Sequence, residues 1–160
     1  ETKHMAEMCR EANNHKGSSF VEIYQNCNIF NDGAFSNLTD RETKAETQLV
    51  LHHGEPMIYG AEKSKGLILD GSKLKSVNID GEKNIQDILI HDKYDKNMGM
   101  LLADITYNSN LPVPIGVIYQ EEKQTYEDLM SAQIEDAKTK KGNGSIDELI
   151  RGSANTWEVS

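Results

Sequence analysis

Cysteine, proline and aromatic side chains are all scarce in this chain. Two cysteines in 160 residues cannot form a disulfide framework, so a reducing, cytoplasmic setting is expected. Aromatics make up 6% and hydrophobic residues 37%, below the usual share for a globular domain. Mean hydropathy is -0.62. Such a chain is thinly cored, or buries apolar surface against a partner. No run approaches the roughly 18 apolar residues of a membrane span. Basic charge is also in deficit, with 17 Lys and Arg against 26 Asp and Glu, for a net charge of -9. That balance argues against direct binding to nucleic acid or an anionic membrane.

Several catalytic signatures are absent. There is no P-loop, no Gly-x-Ser-x-Gly elbow, no His-Glu-x-x-His motif and no Gly-x-Gly-x-x-Gly fingerprint,. Initiator Met, signal-peptide core and cleavage site are missing too. The chain opens as if already inside a helix, and we expect a piece of a longer polypeptide; a domain with a natural start is the alternative. Its length suffices for one domain with its own core.

Turn and capping signals organise what is there. Met5, Met8, Cys9 and Ala12 recur at helical spacing over 2–15, which predicts a helix with Cys9 buried on its apolar face. Gly17 reads as its stop. Phe20-Val21-Glu22-Ile23 reads as a buried strand within Ser19–Gln25, the end of a mostly parallel sheet. Thr39-Asp40-Arg41-Glu42 has the spacing of a capping box and predicts a short helix. Leu49–Leu51 and Met57–Tyr59 read as short strands around a turn at Gly54–Pro56. Gly66–Asp70 and Lys75–Ile79 read as a hairpin around Asp70-Gly71. Ile85, Ile88 and Leu89 predict a two-turn helix, and Met98, Leu101, Leu102 and Ile105 another. Pro112 and Pro114 flank a predicted edge strand at Ile115–Tyr119. Thr125 and Asp128 cap the clearest helix, 125–138, whose apolar face holds Tyr126, Leu129, Met130, Ile134 and Ala137. Gly142-Asn143-Gly144 breaks it, and Ser145 with Glu148 opens a last short helix.

Cys27 is the leading candidate for chemistry. It stands where the predicted strand gives way to the turn Asn31-Asp32-Gly33, and strand ends of α/β sheets are where ligands gather. A thiol there suits a soft metal or cluster, or is simply a free, partly buried group. One cysteine cannot hold an iron–sulfur cluster alone. Backbone amides around Asn28–Phe30 are placed to donate to cluster sulfurs. His52 and His53 are adjacent, so on a strand they point to opposite faces and read as a surface pair. His91, Asp92 and Asp95 read as helix-end and turn residues. Lys63 and Lys65 read as a charged hairpin tip, with a phosphate or carboxylate contact as the sharper alternative.

The stretch Tyr24-Gln25-Asn26-Cys27-Asn28-Ile29-Phe30-Asn31-Asp32-Gly33 resembles the β subunit of two-subunit 2-oxoacid:ferredoxin oxidoreductases, most closely the 2-oxoglutarate type. The resemblance continues in order through Thr39–Ala45, His53-Gly54-Glu55-Pro56, Tyr59–Leu67, His91-Asp92, Pro112–Val117, Asp147–Ile150 and Trp157. It implies an α/β fold in which residues 1–38 end a thiamin-diphosphate-binding parallel-sheet domain. Residues 39–160 would then be a small α+β extension.

The resemblance also implies that Cys27 is the fourth ligand of a [4Fe-4S] cluster whose other three cysteines lie upstream. Thiamin diphosphate and Mg²⁺ belong to the whole enzyme. Their Gly-Asp-Gly motif is absent from these residues, so the isolated piece is expected to be inactive and free of cofactors. The partners implied are an α subunit, ferredoxin, coenzyme A and a 2-oxoacid, with 2-oxoglutarate preferred and pyruvate behind it. A non-catalytic assembly module that kept the fold without the chemistry is the competing expectation.

Overall fold

The structure, a computed structural model, describes residues 2–79, 85–105, 110–152, 157 and 159. The fold is mixed α/β with one parallel and one antiparallel sheet. The chain divides into two compact units, Glu1–Asn14 with Phe20–Glu121, and His15–Ser19 with Glu122–Ser160.

The first unit opens with α1 (Thr2–Asn14). Two single-turn helices follow, α2 (Ser36–Thr39) and α3 (Lys44–Thr47). The strands are β1 (Gln48–Val50), β2 (Ile58–Tyr59), β3 (Lys65–Asp70), β4 (Lys73–Asn78) and β5 (Val113–Ile115), with α4 (Lys96–Ala103) before β5. β2, β3 and β4 form an antiparallel meander in that order, and β1 pairs with β5 in parallel. The β3–β4 hairpin turns at Asp70-Gly71, and Leu67 faces Ser76 in its register.

The core is small. Leu49, Leu51, Met57, Tyr59, Leu67 and Leu102 form one buried cluster. The strand alternation sends Leu49 and Leu67 inward, and α4 lays Leu102 on them. Asp95 caps α4 by accepting from the amides of Asn97 and Met98, which satisfies two of the helix's orphan donors. A segment after the Ile85–Asp87 turn laces the parts together. Leu89 donates to Leu67 O at 2.9 Å and accepts from Met57 N at 2.8 Å, while His91 N donates to Glu55 O at 2.9 Å.

Gly116 closes the parallel pair. Its φ is 123°, and a Cβ there would lie 3.0 Å from Leu51 O. Any L side chain is both strained and crowded at that position, so Gly116→Ala should cost about 1–3 kcal/mol. Chemical denaturation of the two proteins reads the difference directly.

In the second unit α5 (Tyr126–Lys141) starts on a capping box. Thr125 accepts from Asp128 N, and the Asp128 side chain accepts from Thr125 N. Lys138, Lys140 and Lys141 occupy its last turn, where cations complement the helix dipole. α6 (Ile146–Arg151) is capped by Ser145. Neither helix has a buried residue, so the apolar face of Tyr126, Leu129, Met130 and Ile134 is exposed.

Several local expectations are corrected. Ser19–Gln25 is not a strand, and Phe20 is 90% exposed. A strand needs a neighbour for its N–H and C=O groups, and no described strand pairs with it. Cys9 is exposed rather than buried, because α1 has no buried residue. Thr39 ends α2 instead of capping a helix, since its hydroxyl donates back to Phe35 O at 3.0 Å. Ile88 and Leu89 fall outside any helix; Leu89 spends its amide on β3. The late strand is Val113–Ile115 and includes Pro114, not Ile115–Tyr119. Parallel pairing to β1, invisible in the local sequence, selects it.

Candidate functional site

The loop around Cys27 is tightly hydrogen-bonded. Asn31 N donates to Cys27 O at 2.9 Å, and the two residues form an isolated antiparallel bridge. Gly33, at φ 72°, takes the left-handed conformation that the Asn-Asp-Gly turn signals. The Asn26 carboxamide reaches across the loop. Its Nδ2 donates to Asn28 Oδ1 at 2.7 Å and to Asp32 Oδ1 at 2.8 Å. Its Oδ1 accepts from Gly33 N at 2.9 Å. Tyr24 and Phe35 stack at 5.1 Å between ring centroids, joining the two ends.

Cys27 itself is a free, partly exposed thiol. The backbone N–H groups of Phe30, Ile29 and Asn31 hydrogen-bond to it and hold its pKa below the ordinary thiol value, against a smaller opposing effect of burial. Successive amides turned toward one anion make a nest, and here the anion is a thiolate. Ile29 and Phe30 expose 83% and 90% of their surface beside it. The loop therefore presents an electron-rich sulfur ringed by apolar side chains. Its donor set suits one ligand of a soft metal cluster. Among the described residues no group of three or more His, Cys, Asp or Glu could hold a metal ion, so further ligands would have to come from elsewhere.

The histidines divide. His53 is an exposed surface group, 3.5 Å from Asp92, edge-on to Tyr94 and accepting from Lys93 N at 3.4 Å. His52 is exposed as well, as expected of the pair. Asp95 is a helix-end residue, the cap of α4, and Asp92 accepts from Tyr94 N at 2.9 Å in a turn. His91 departs from expectation: it is 1% exposed. The lacing through Glu55 and Gly54 carries it into the core wall. Its Nε2 lies 2.9 Å from Val117 O, which fixes Nε2–H as donor, while buried Nδ1 has no partner. It lines a cleft of about 300 Å³ with Glu7, Glu11, His52 and Lys93.

Burial pushes the His91 pKa below its ordinary 6.5, with the hydrogen bond to Val117 opposing. The unfolded chain thus takes up a proton at a pH where the folded chain does not. Stability from this residue is full above about pH 6.5 and is lost as pH falls toward the folded value. Thermal unfolding between about pH 8 and pH 5 should show a decline that His91→Gln flattens, each unit of depression being worth about 1.4 kcal/mol.

Lys65 is engaged rather than free. Its Nζ bonds Glu46 Oε2 at 2.8 Å, and Glu46 Oε1 accepts from Ala61 N at 2.7 Å. The pairing holds the Glu46 carboxyl below and the Lys65 amine above their usual values. Both line a second cleft of about 360 Å³ with Tyr59 and Ser76. Lys63 and Glu62, at φ 58° and 55°, are consecutive left-handed residues, a strained tip. Sequence reasoning missed Asn26 and Glu46 because their partners lie across a loop and on another strand. For Asn26 the clustering of Asn26, Asn28 and Asp32 was a usable signal.

No family model matches the chain, and no solved structure matches it. It is similar to a curated protein of Mycobacterium tuberculosis (strain ATCC 25618 / H37Rv), the 2-oxoglutarate oxidoreductase subunit KorB. The two are 29% identical over 159 residues, which cover 97% of this chain and 42% of that protein.

Proposed function

We propose that this chain is part of the β subunit of a thiamin-diphosphate-dependent 2-oxoacid:ferredoxin oxidoreductase, with 2-oxoglutarate as the substrate. The observation that carries the reading is the similarity to KorB along 97% of the chain. Residues 1–38 would finish the domain that binds thiamin diphosphate and Mg²⁺, and residues 39–160 would extend it. Cys27 would supply one thiolate to a [4Fe-4S] cluster. When bound, thiamin diphosphate supplies the carbanion chemistry of oxoacid decarboxylation; coenzyme A takes the acyl group, and the cluster passes electrons to ferredoxin.

This chain's own residues would have a narrower task. Cys27 would hold one corner of the cluster, and the amides of Ile29, Phe30 and Asn31 would hydrogen-bond its sulfur. Ile29 and Phe30 would keep water from that corner. Lys65, already paired with Glu46, has a charge partner and is a poorer candidate for a coenzyme A phosphate than Lys63. The exposed faces of α5 and α6 would meet the rest of the enzyme, including an α subunit.

The test uses the complete subunit, purified with the subunit it associates with. Reduction of a viologen dye that requires both 2-oxoglutarate and coenzyme A supports the reading. Turnover with pyruvate alone would move the substrate. No turnover with any 2-oxoacid, and no brown chromophore, would leave the assembly module as the better account.

A further inference from the structure

Asn26 stands next to the cysteine and grips its loop at three points. A carboxamide is suited to this, because one planar group carries two donor hydrogens and an acceptor. Asn28 and Asp32 take the donors at 2.7 and 2.8 Å, and Gly33 N meets the acceptor at 2.9 Å. Those three partners bracket residues 29–31, whose amides face the sulfur. Aspartate at position 26 would have no donor and would repel Asp32. Alanine would release all three.

We propose that Asn26 is the positioning residue of this loop: its clamp holds the amides of Ile29, Phe30 and Asn31 on the Cys27 sulfur and thereby sets the electron density that sulfur delivers. The second half, delivery to a cluster, rests on the function proposed above. Hydrogen bonds to a ligand sulfur draw charge from it and favour the reduced cluster, so losing them lowers the reduction potential.

Asn26 is exposed, so the substitution should spare the core. The measurement is made first on the full 160-residue chain, in a Cys9→Ser background that leaves Cys27 as the one thiol. Asn26→Ala should raise hydrogen exchange of the amides of residues 29–31 by about tenfold or more, since local opening governs exchange. It should also change the alkylation rate of Cys27 at fixed pH, with the melting temperature unmoved. Asn26→Asp should still protect the Gly33 amide but not those of residues 29–31. In the complete subunit, Asn26→Ala should lower the cluster's midpoint potential while iron content holds. Unchanged exchange and alkylation overturn the proposal. A complete wild-type subunit without a Cys27-ligated cluster overturns the proposed function, while the exchange data still decide the clamp.

Discussion

Replacing Cys27 with alanine in the complete subunit should strip or cripple the iron–sulfur centre, while Cys9→Ala should leave it intact. The two thiols differ in their surroundings. Cys27 lies on a hydrogen-bonded loop with three amides at its sulfur, a setting that stabilises the thiolate a cluster needs. Cys9 lies on the exposed surface of α1, a helix with no buried residue. Iron content and visible absorbance of each variant give the answer. We expect Cys27→Ala to lose most of both and Cys9→Ala to match the parent. Equal retention in the two would remove Cys27 from the ligand set and leave the amide nest without a cluster to serve.

The second large effect is on stability. Leu67 is fully buried at the centre of the antiparallel meander, within the cluster that Leu49, Met57 and Leu102 complete. Leu67→Ala removes buried methyl groups and leaves a cavity, which should cost about 2–5 kcal/mol. That is a large share of the roughly 5–15 kcal/mol by which domains are stable, and this core is small. Leu129→Ala on α5 is the contrast. Leu129 is 53% exposed, so its loss should shift unfolding of the isolated chain little. In the assembled enzyme the same change should cost more, up to the 2–5 kcal/mol of a packed site, if α5 docks there. Denaturation of both variants, in isolation and in the assembly, separates the two cases. Equal destabilisation by Leu129→Ala in both would mean that the helix serves only a local role.

Local chemistry made part of this structure readable. The Thr125–Asp128 capping box, the Asp70-Gly71 hairpin and the Asn31-Asp32-Gly33 turn are each settled within a few residues, and each folds as its side chains dictate. Phe20–Ile23 misled because β-branched and aromatic composition describes a strand's sides but says nothing about its ladder partner. β5 was misplaced for the related reason that its partner, β1, is remote in sequence. His91 was misread because its position depends on backbone bonds to Glu55 and Gly54, which no side-chain pattern records. At the candidate site, the cysteine and its turn were legible, and the Asn26 clamp was not. Its partners at Asn28, Asp32 and Gly33 meet only once the loop has closed.

The parallel pairing of β1 with β5 also sets an order of events during synthesis. Gln48–Val50 leave the ribosome long before Val113–Ile115, the strand they pair with in this structure. The β3–β4 hairpin needs only neighbouring residues and closes within microseconds once extruded. β1 must wait, its edge open, while the meander and α4 emerge. Long-range closure of this kind slows folding. Nascent chains stopped before Val113 should therefore hold a formed hairpin beside an unfinished core, with Leu49 and Leu51 available to chaperones.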